Sequence, residues 1–429
     1  MLPLDYLHAT CLAGIAAYIW RREPPRLLLT PLMLISFFVL YGVGNIIYFA
    51  GADTVPDVRY AATLSLILMW VGLIVGIELA RACTPALALQ SDRVIRKWKA
   101  GTVSDRTNAD QLLAALAVLV AVFILVVFLG FGKPAQIFNF LALDSAHEKQ
   151  KYRLELSGQG GYLYQTLIAS VAPFLSFLLL VKGAASKQRY LLAVGILMCA
   201  AVFAGKFGTF QKVPWLVYLL QLIVVFQARR QLEIGVGRIG FFLFVVLTGA
   251  IVAALIALPD LDAVGIFEWL GYRFFEVNNE VIYQTFYVYP QHLPHTWGMN
   301  IGLIHNLFGS DQLVSAHTQV ANFFGAEGAT FDAFFIADAW VDFSYAGVLA
   351  MSVLVGYVVK TVDIFVMSRG KTPVAVALLG SGMYGLFQLQ VTSAFTAFLS
   401  GGLVLIPLLV ISAEGLMNDL ARGQAQWQR

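Results

Sequence analysis

The stretch LLAVGILMCAAVFAGKFGTFQKVPWLVYLLQLIVVF, residues 191–226, contains two long apolar runs separated by one short polar turn. An α-helix of about 20 apolar residues crosses the roughly 30 Å hydrocarbon core of a bilayer. The turn contains Lys206 and Lys212, and lysine is costly inside a membrane. The stretch therefore predicts a helical hairpin that spans a membrane and presents two lysines at one face.

The rest of the sequence has the same character. Of the 429 residues, 59% are hydrophobic and 12% are charged, and the mean hydropathy is +0.77. A soluble domain has roughly 25% charged residues, so this composition excludes a soluble globular protein. We predict one all-α polytopic domain over 1–429 with eleven spans, at 4–20, 27–49, 58–80, 112–131, 162–181, 189–204, 213–227, 239–258, 337–359, 374–391 and 395–415. The stretch 374–415 is either two spans or one re-entrant feature.

Lysine and arginine predict the orientation of these spans. With the N-terminus outside, 20 of the 28 Lys and Arg residues fall in cytoplasmic segments. Cytoplasmic loops are enriched in these residues, so the N-terminus is predicted outside and the C-terminus inside. The outer face then holds the segments 132–161, 205–212 and 259–336.

The segment 259–336, before the ninth predicted span, is too long for a simple connection. Its first part is rich in aromatic residues, among them Trp269, Tyr272 and Tyr283. Such rings anchor a helix at a membrane interface. They also serve as apolar platforms for sugar rings, and the sequence leaves both interpretations open.

Charged side chains in the same segment suggest a site. Arg273, Glu276 and Glu280 have helical spacing that predicts one shared face. They form either an ordinary surface pair, or a guanidinium for a pyrophosphate with a carboxylate nearby.

His317 and Asp338 are candidate catalytic groups, together with Glu280. His317 is either a general base or a hydrogen-bonding loop residue. Asp338 and Asp342 lie near a predicted helix start, where helix capping is the ordinary explanation. The histidines and the three cysteines have no metal-ligand spacing, so no metal is predicted.

The outer segment 132–161 contains a short stretch of mixed charge that predicts an amphipathic helix. Lys149, Lys151 and Arg153 lie there beside Glu148 and Glu155. The stretch is either a solvated helix or a mobile flap whose cations meet an anionic substrate.

Several motifs together resemble the Wzy-type O-antigen and capsule repeat unit polymerases, which are related to the O-antigen ligases. FAGKFGTFQKVPWLVYLL (203–220) is similar to the family's turn of glycine plus cation that opens a helix. FFIADAWVDFSYAGVLAM (334–351) is similar to the helix entry after its large loop. His317 and Gly325 are similar to a loop motif, His-x7-Gly, of the same proteins.

The resemblance implies a GT-C-like, metal-independent glycosyltransferase of the bacterial inner membrane, with its active site facing the periplasm and no cofactor. It would transfer a growing glycan from undecaprenyl pyrophosphate to the terminal sugar of a lipid-linked repeat. Expected partners are undecaprenyl-pyrophosphate-linked oligosaccharides, a chain-length regulator, a flippase and membrane lipids, and no nucleic acid. The implied pyrophosphate-binding cations are Lys206, Lys212, Arg273, Lys149 and Arg153.

Two other functions stay open. A ligase that moves the finished glycan onto lipid A-core shares this layout. A transporter or flippase for a lipid-linked sugar would show internal repeats and charges at mid-span, and the sequence has no repeat. The chain also departs from the family pattern, because lysine stands at 206 where arginine is expected.

Overall fold

The computed structural model describes most of the chain, and the described part is helical without β-sheet. It covers residues 3–103, 110–143, 148, 151–152, 156, 161–208, 212–233, 248–249, 251, 262–308, 314–326 and 334–427. In chain order, the first nine helices are α1 (Pro3–Arg22), α2 (Leu29–Gly51), α3 (Pro56–Cys83), α4 (Pro85–Lys97), α5 (Asp110–Gly130), α6 (Lys133–Ala142), α7 (Gly161–Ser186), α8 (Arg189–Phe207) and α9 (Lys212–Arg230).

The remaining helices surround and follow the predicted large outer segment. They are α10 (263–288), α11 (Gly302–Phe308), α12 (Ala316–Phe323), α13 (Phe335–Ser368), α14 (Pro373–Val391), α15 (Ala394–Phe398) and α16 (Leu405–Trp427).

Within the described residues, seven helices are long and apolar enough to span a membrane, namely α2, α3, α5, α7, α8, α13 and α14. The chain is therefore an α-helical, multi-pass membrane protein by the length and composition of its helices.

Eleven spans and the orientation stay predictions. Helices α1 and α9 cover the predicted spans 4–20 and 213–227 but are not among the seven. The predicted span 239–258 lies almost entirely outside the described residues. The predicted span 395–415 is not one helix, because α15 ends at Phe398 and α16 begins at Leu405.

The chain divides into two compact units. The first contains Met1–Pro85, Leu232–Thr361 and Gln388–Phe395, and the second contains Ala86–Gln231, Val362–Phe387 and Thr396–Arg429.

Helices α3 and α13 cross at glycines in the first unit. A Cβ atom at Gly76 would lie 2.1 Å from the carbonyl oxygen of Val353, and one at Gly356 would lie 2.3 Å from that of Leu73. Small residues allow membrane helices to approach at backbone distance, where van der Waals packing holds them together.

Replacing Gly76 by alanine is therefore expected to lower the thermal unfolding temperature of the detergent-purified protein. A methyl group there forces the two helices apart, at about 1–3 kcal/mol for an overpacked contact. Gly14→Ala in α1 is the matched control, because no atom lies within 4 Å of its added Cβ. If Gly76→Ala unfolds at the wild-type temperature, the close crossing does not stabilise this unit.

In the second unit, α7, α8 and α9 pack through close contacts and polar links. A Cβ at Gly183 of α7 would lie 2.8 Å from the backbone nitrogen of Leu192 in α8. The hydroxyls of Ser176 and Tyr218 lie 2.9 Å apart. The ammonium of Lys182 in α7 pairs with the carboxylate of Asp110 in α5.

Two departures from regular helix in the first unit lie near the predicted site residues, and a third, the π-helical segment Phe38–Val43, lies in α2. Five residues of α10, Tyr272–Glu276, form a π-helical turn. Helix α13 breaks after Asp342, where Phe343 has non-helical angles and Ser344 has a φ of 55°. Both irregularities lie among the residues that sequence analysis selected.

Candidate functional site

Most of the predicted site residues lie in the described part of the chain, but not in one place. The first compact unit contains Trp269, Tyr272, Arg273, Glu280, Tyr283, His317 and Asp338, and the second contains Lys206 and Lys212. Lys149 and Arg153 lie outside the described residues, as does the side chain of Lys212.

His317 and Asp338 form a pair. Nε2 of His317 lies 3.1 Å from Oδ1 of Asp338, and the two side chains are 17% and 10% exposed. The same Oδ1 accepts a hydrogen bond of 2.7 Å from the side-chain amide of Asn300. A carboxylate that contacts an imidazole orients it and stabilises its protonated form, which is how general bases are commonly arranged.

The second oxygen of Asp338 is a notable feature of this pair. Oδ2 is buried and accepts no hydrogen bond from the described part of the chain. Buried polar atoms are normally satisfied, so an unsatisfied one calls for an explanation such as a catalytic role or a ligand. A substrate hydroxyl is a donor of suitable size and chemistry for this oxygen.

Asp342 holds the loop beside this pair. Its Oδ1 accepts from the hydroxyl of Thr296 at 2.5 Å, from the backbone nitrogen of Gly298 at 3.1 Å and from that of Asn300 at 3.3 Å. The helix-capping interpretation of Asp342 is therefore wrong. Asp342 ends the first segment of α13, and its hydrogen bonds go to a different loop.

Asn300 connects these groups, and sequence analysis did not select it. Its backbone nitrogen donates to Asp342 and its side-chain amide to Asp338, while its Oδ1 accepts from the nitrogen of Ala316, next to His317. No spacing rule identifies such a residue, because its partners are 16, 38 and 42 positions away.

Tyr289 links α12 to α13 by two hydrogen bonds. Its hydroxyl donates to Oε1 of Gln319 at 2.9 Å, and its carbonyl accepts from Nε1 of Trp340 at 2.9 Å. Burial, with a smaller contribution from the negative charge of Asp342, raises the pKa of Tyr289 to about 12. Tyr289 therefore keeps its proton at neutral pH and remains a hydrogen-bond donor.

Glu280 lies in a separate polar group. Its Oε2 accepts from the hydroxyl of Tyr272 at 2.7 Å, and its Oε1 accepts from the side chain of Gln284 at 3.1 Å. The bond to Glu280, followed by burial, raises the pKa of Tyr272 to about 12. The structure thus gives Glu280 two donors, neither of them a member of the His317–Asp338 pair.

The predicted shared face of Arg273, Glu276 and Glu280 stays a prediction, because part of it lies in a π-helical turn instead of regular α-helix. The π-helical turn at Tyr272–Glu276 adds a residue to the turn and rotates Arg273 relative to Glu280. Arg273 is exposed, and its guanidinium lies 5.5 Å from the centre of the Trp269 ring. Trp269 therefore supports the arginine by a cation–π contact.

Tyr283 packs against its neighbours. Its hydroxyl accepts from the backbone nitrogen of Val55 at 2.9 Å, and its ring lies 6.2 Å from Phe49. These contacts favour a structural role for Tyr283. Tyr272, by contrast, is 41% exposed.

The surroundings of Lys206 differ from those that the sequence predicts. The sequence suggests a polar turn, but α8 continues to Phe207, so Lys206 lies in the last helical turn. It is only 1% exposed, and its ammonium lies 4.4 Å from the centre of the Tyr384 ring. A cation is favoured at this end of a helix and over an aromatic face.

Comparison with protein-family models, with curated proteins and with solved structures finds no match to the chain. The described residues also contain no cluster of three or more His, Cys, Asp or Glu side chains arranged to hold a metal ion.

Proposed function

We propose that the chain is a bacterial inner-membrane glycosyltransferase that polymerises lipid-linked oligosaccharide repeats at the periplasmic face. The observation that carries the proposal is the His317–Asp338 pair with its unsatisfied carboxylate oxygen. It is supported by the sequence motifs that resemble the Wzy-type polymerases, two of which contribute the members of this pair.

The reaction needs a base for the acceptor. A hydroxyl of the terminal sugar on a lipid-linked repeat attacks the anomeric carbon of the growing glycan. The His317–Asp338 pair takes the hydroxyl proton as the new C–O bond forms, and Asn300 keeps the Asp338 carboxylate oriented. Positioning of the two reactants supplies much of the remaining rate acceleration.

The reaction also needs positive charge for the leaving group. The bond from the anomeric carbon to the pyrophosphate oxygen breaks, and its electron pair leaves on undecaprenyl pyrophosphate. Fixed cations stabilise the charge that develops there. The role proposed for Arg273 is of this kind, because an exposed guanidinium can bind two phosphate oxygens at once.

Deleting the gene and separating the surface glycolipids on a gel tests the proposal. Loss of a polymerase leaves the core with a single repeat. Loss of a ligase, or of a transporter or flippase for the lipid-linked sugar, leaves the bare core, so these alternatives are separated from the polymerase. Full-length ladders in the deletion strain would overturn all of these functions.

Returning Arg273→Gln to the deletion strain is expected to slow ladder formation about a hundredfold, at wild-type amounts in the membrane. The reason is that one preorganised charge contributes about 10²–10³ in rate. Lys187→Gln serves as a matched control, since this lysine is placed on the predicted cytoplasmic side. Wild-type ladders from Arg273→Gln would contradict a role for this cation at the leaving group.

A further inference from the structure

Trp297 is a large aromatic side chain left open beside the candidate site. It is 74% exposed, although an indole ring is among the side chains that gain most from burial. Its backbone has a φ of 50°, in the left-handed region that a residue with a Cβ adopts at an energetic cost. The fold thus holds this tryptophan outward in an unfavourable conformation.

Hydrogen bonds to the end of the first segment of α13 keep the loop in this conformation. The backbone nitrogen of Thr296 donates to the carbonyl of Val341 at 3.0 Å, and that of Trp297 to the carbonyl of Asp342 at 3.1 Å. The Asp342 carboxylate binds both sides of Trp297, through Thr296 and Gly298. Local strain persists only where surrounding structure imposes it, and such sites are often functional.

The same loop also holds the catalytic pair. Three residues after Trp297, Asn300 donates from its backbone to Asp342 and from its side chain to Asp338. The ring of Trp297 lies 6.5 Å from that of His295, which in turn contacts the carbonyl of Val341 at 3.2 Å. One hydrogen-bonded unit therefore positions an exposed indole and the proposed base together.

We propose that Trp297 is the platform on which the pyranose ring of the acceptor sugar stacks while its hydroxyl meets the His317–Asp338 pair. This inference rests on the proposed function. One face of a pyranose ring is a patch of C–H groups, which binds to an exposed aromatic face by dispersion and loss of apolar hydration. The hydroxyls at its edge are then available to a carboxylate.

The competing occupant of the indole is the membrane. Tryptophan is common at membrane interfaces, where it needs only the correct depth. A residue of that kind needs no particular backbone conformation, whereas a stacking platform must have a fixed orientation relative to the base. The hydrogen bonds from the loop to Asp342, and through Asn300 to Asp338, favour the sugar.

The experiment measures sugar binding directly, in lipid nanodiscs, by isothermal titration calorimetry. The probe is the repeat oligosaccharide released by mild acid from lipid-linked repeats extracted from the wild-type strain. Wild type and Trp297→Phe are expected to bind alike, because phenylalanine retains an aromatic face. Trp297→Ala is expected to bind about tenfold more weakly. Trp20→Ala is the matched control, since Trp20 is 78% exposed in α1.

A second measurement uses nanodiscs whose phospholipids have brominated acyl chains, which quench nearby indoles. The fluorescence difference between wild type and Trp297→Phe should be unaffected by bromine. Strong quenching of that difference, equal binding by Trp297→Ala and wild type, or no binding by wild type would each overturn the platform. The two proposals can fail separately. If sugar binding depends on Trp297 but the deletion strain still makes full-length ladders, the platform is retained and the polymerase function is rejected.

Discussion

Asp338→Asn is expected to slow glycan polymerisation about a thousandfold while leaving the amount of folded protein unchanged. Asparagine has the size of aspartate, and its carbonyl oxygen still accepts the bond from Asn300. It has no negative charge, however, and therefore neither accepts the hydroxyl proton nor stabilises a protonated His317. General base catalysis contributes about 10²–10⁴ in rate, which sets the size of the expected loss.

The measurement is the initial rate of elongation of extracted lipid-linked repeats by the purified protein. Asp262→Asn is the matched control, because it makes the same chemical change at the exposed N-cap of α10, where asparagine caps as well as aspartate. If His317 and Asp338 act as a unit, His317→Gln combined with Asp338→Asn will be scarcely slower than either single variant. An Asp338→Asn rate within threefold of wild type would exclude the pair as the base.

The membrane-spanning character of the chain could be predicted because long apolar runs have few structural options. Without water, every backbone group must be satisfied within its own segment, and a helix achieves this for any sequence of apolar residues. The predicted span 58–80 accordingly falls within α3, and the predicted span 112–131 matches α5 except for its last residue. The predicted span 395–415 failed because its apolar run is interrupted by Gly402, whose φ of 82° belongs to a turn.

The irregular helix at Arg273 has a tertiary cause. The side-chain amide of Asn279 donates to the carbonyl of Leu40 in α2 and to that of Phe275 in α10. Both carbonyls belong to π-helical turns, in which i→i+5 bonds replace the regular pattern. A prediction from helical spacing assumes 3.6 residues per turn throughout. It therefore misses an inserted residue that is stabilised by contacts with another helix.

The chemical types of the site residues could be predicted from the sequence better than their hydrogen-bond partners. His317 and Asp338 were selected separately, because each is a titratable group in an apolar chain, and their pairing follows from how the loop folds back onto α13. Asn300 and Trp297 carry no charge and follow no motif. Their importance comes from the Asp342 carboxylate, which the sequence places at a helix start and the structure places at a helix break.

The second large effect concerns stability and a buried group of charges in the first unit. Oε1 of Glu23 accepts from Arg81 at 2.7 Å and from Lys360 at 2.5 Å, and the glutamate side chain is only 5% exposed. Arg81 also contacts Glu78 at 2.6 Å, and the hydroxyl of Tyr18 donates to that same carboxylate. Glu23 therefore compensates two cations that have lost most of their hydration.

Glu23→Gln is expected to destabilise the protein by about 3–5 kcal/mol, since removing one member of a buried ion pair leaves an uncompensated charge. The effect is measured as the thermal unfolding temperature in detergent. Size-exclusion chromatography with fluorescence detection monitors the fraction of protein that stays folded after heating. Glu414→Gln is the control, because the Glu414 side chain, which pairs with Arg369, is 38% exposed. Exposed ion pairs contribute about 0–1 kcal/mol to stability.

Adding Lys360→Met to Glu23→Gln separates charge from packing. Methionine retains most of the apolar length of the lysine but removes its ammonium, so the double variant leaves only Arg81, which Glu78 still neutralises. Because the two residues are in contact, their effects should not add, and the double variant should regain much of the lost stability. A double variant less stable than Glu23→Gln would show that Lys360 stabilises this unit through contacts other than its ion pair.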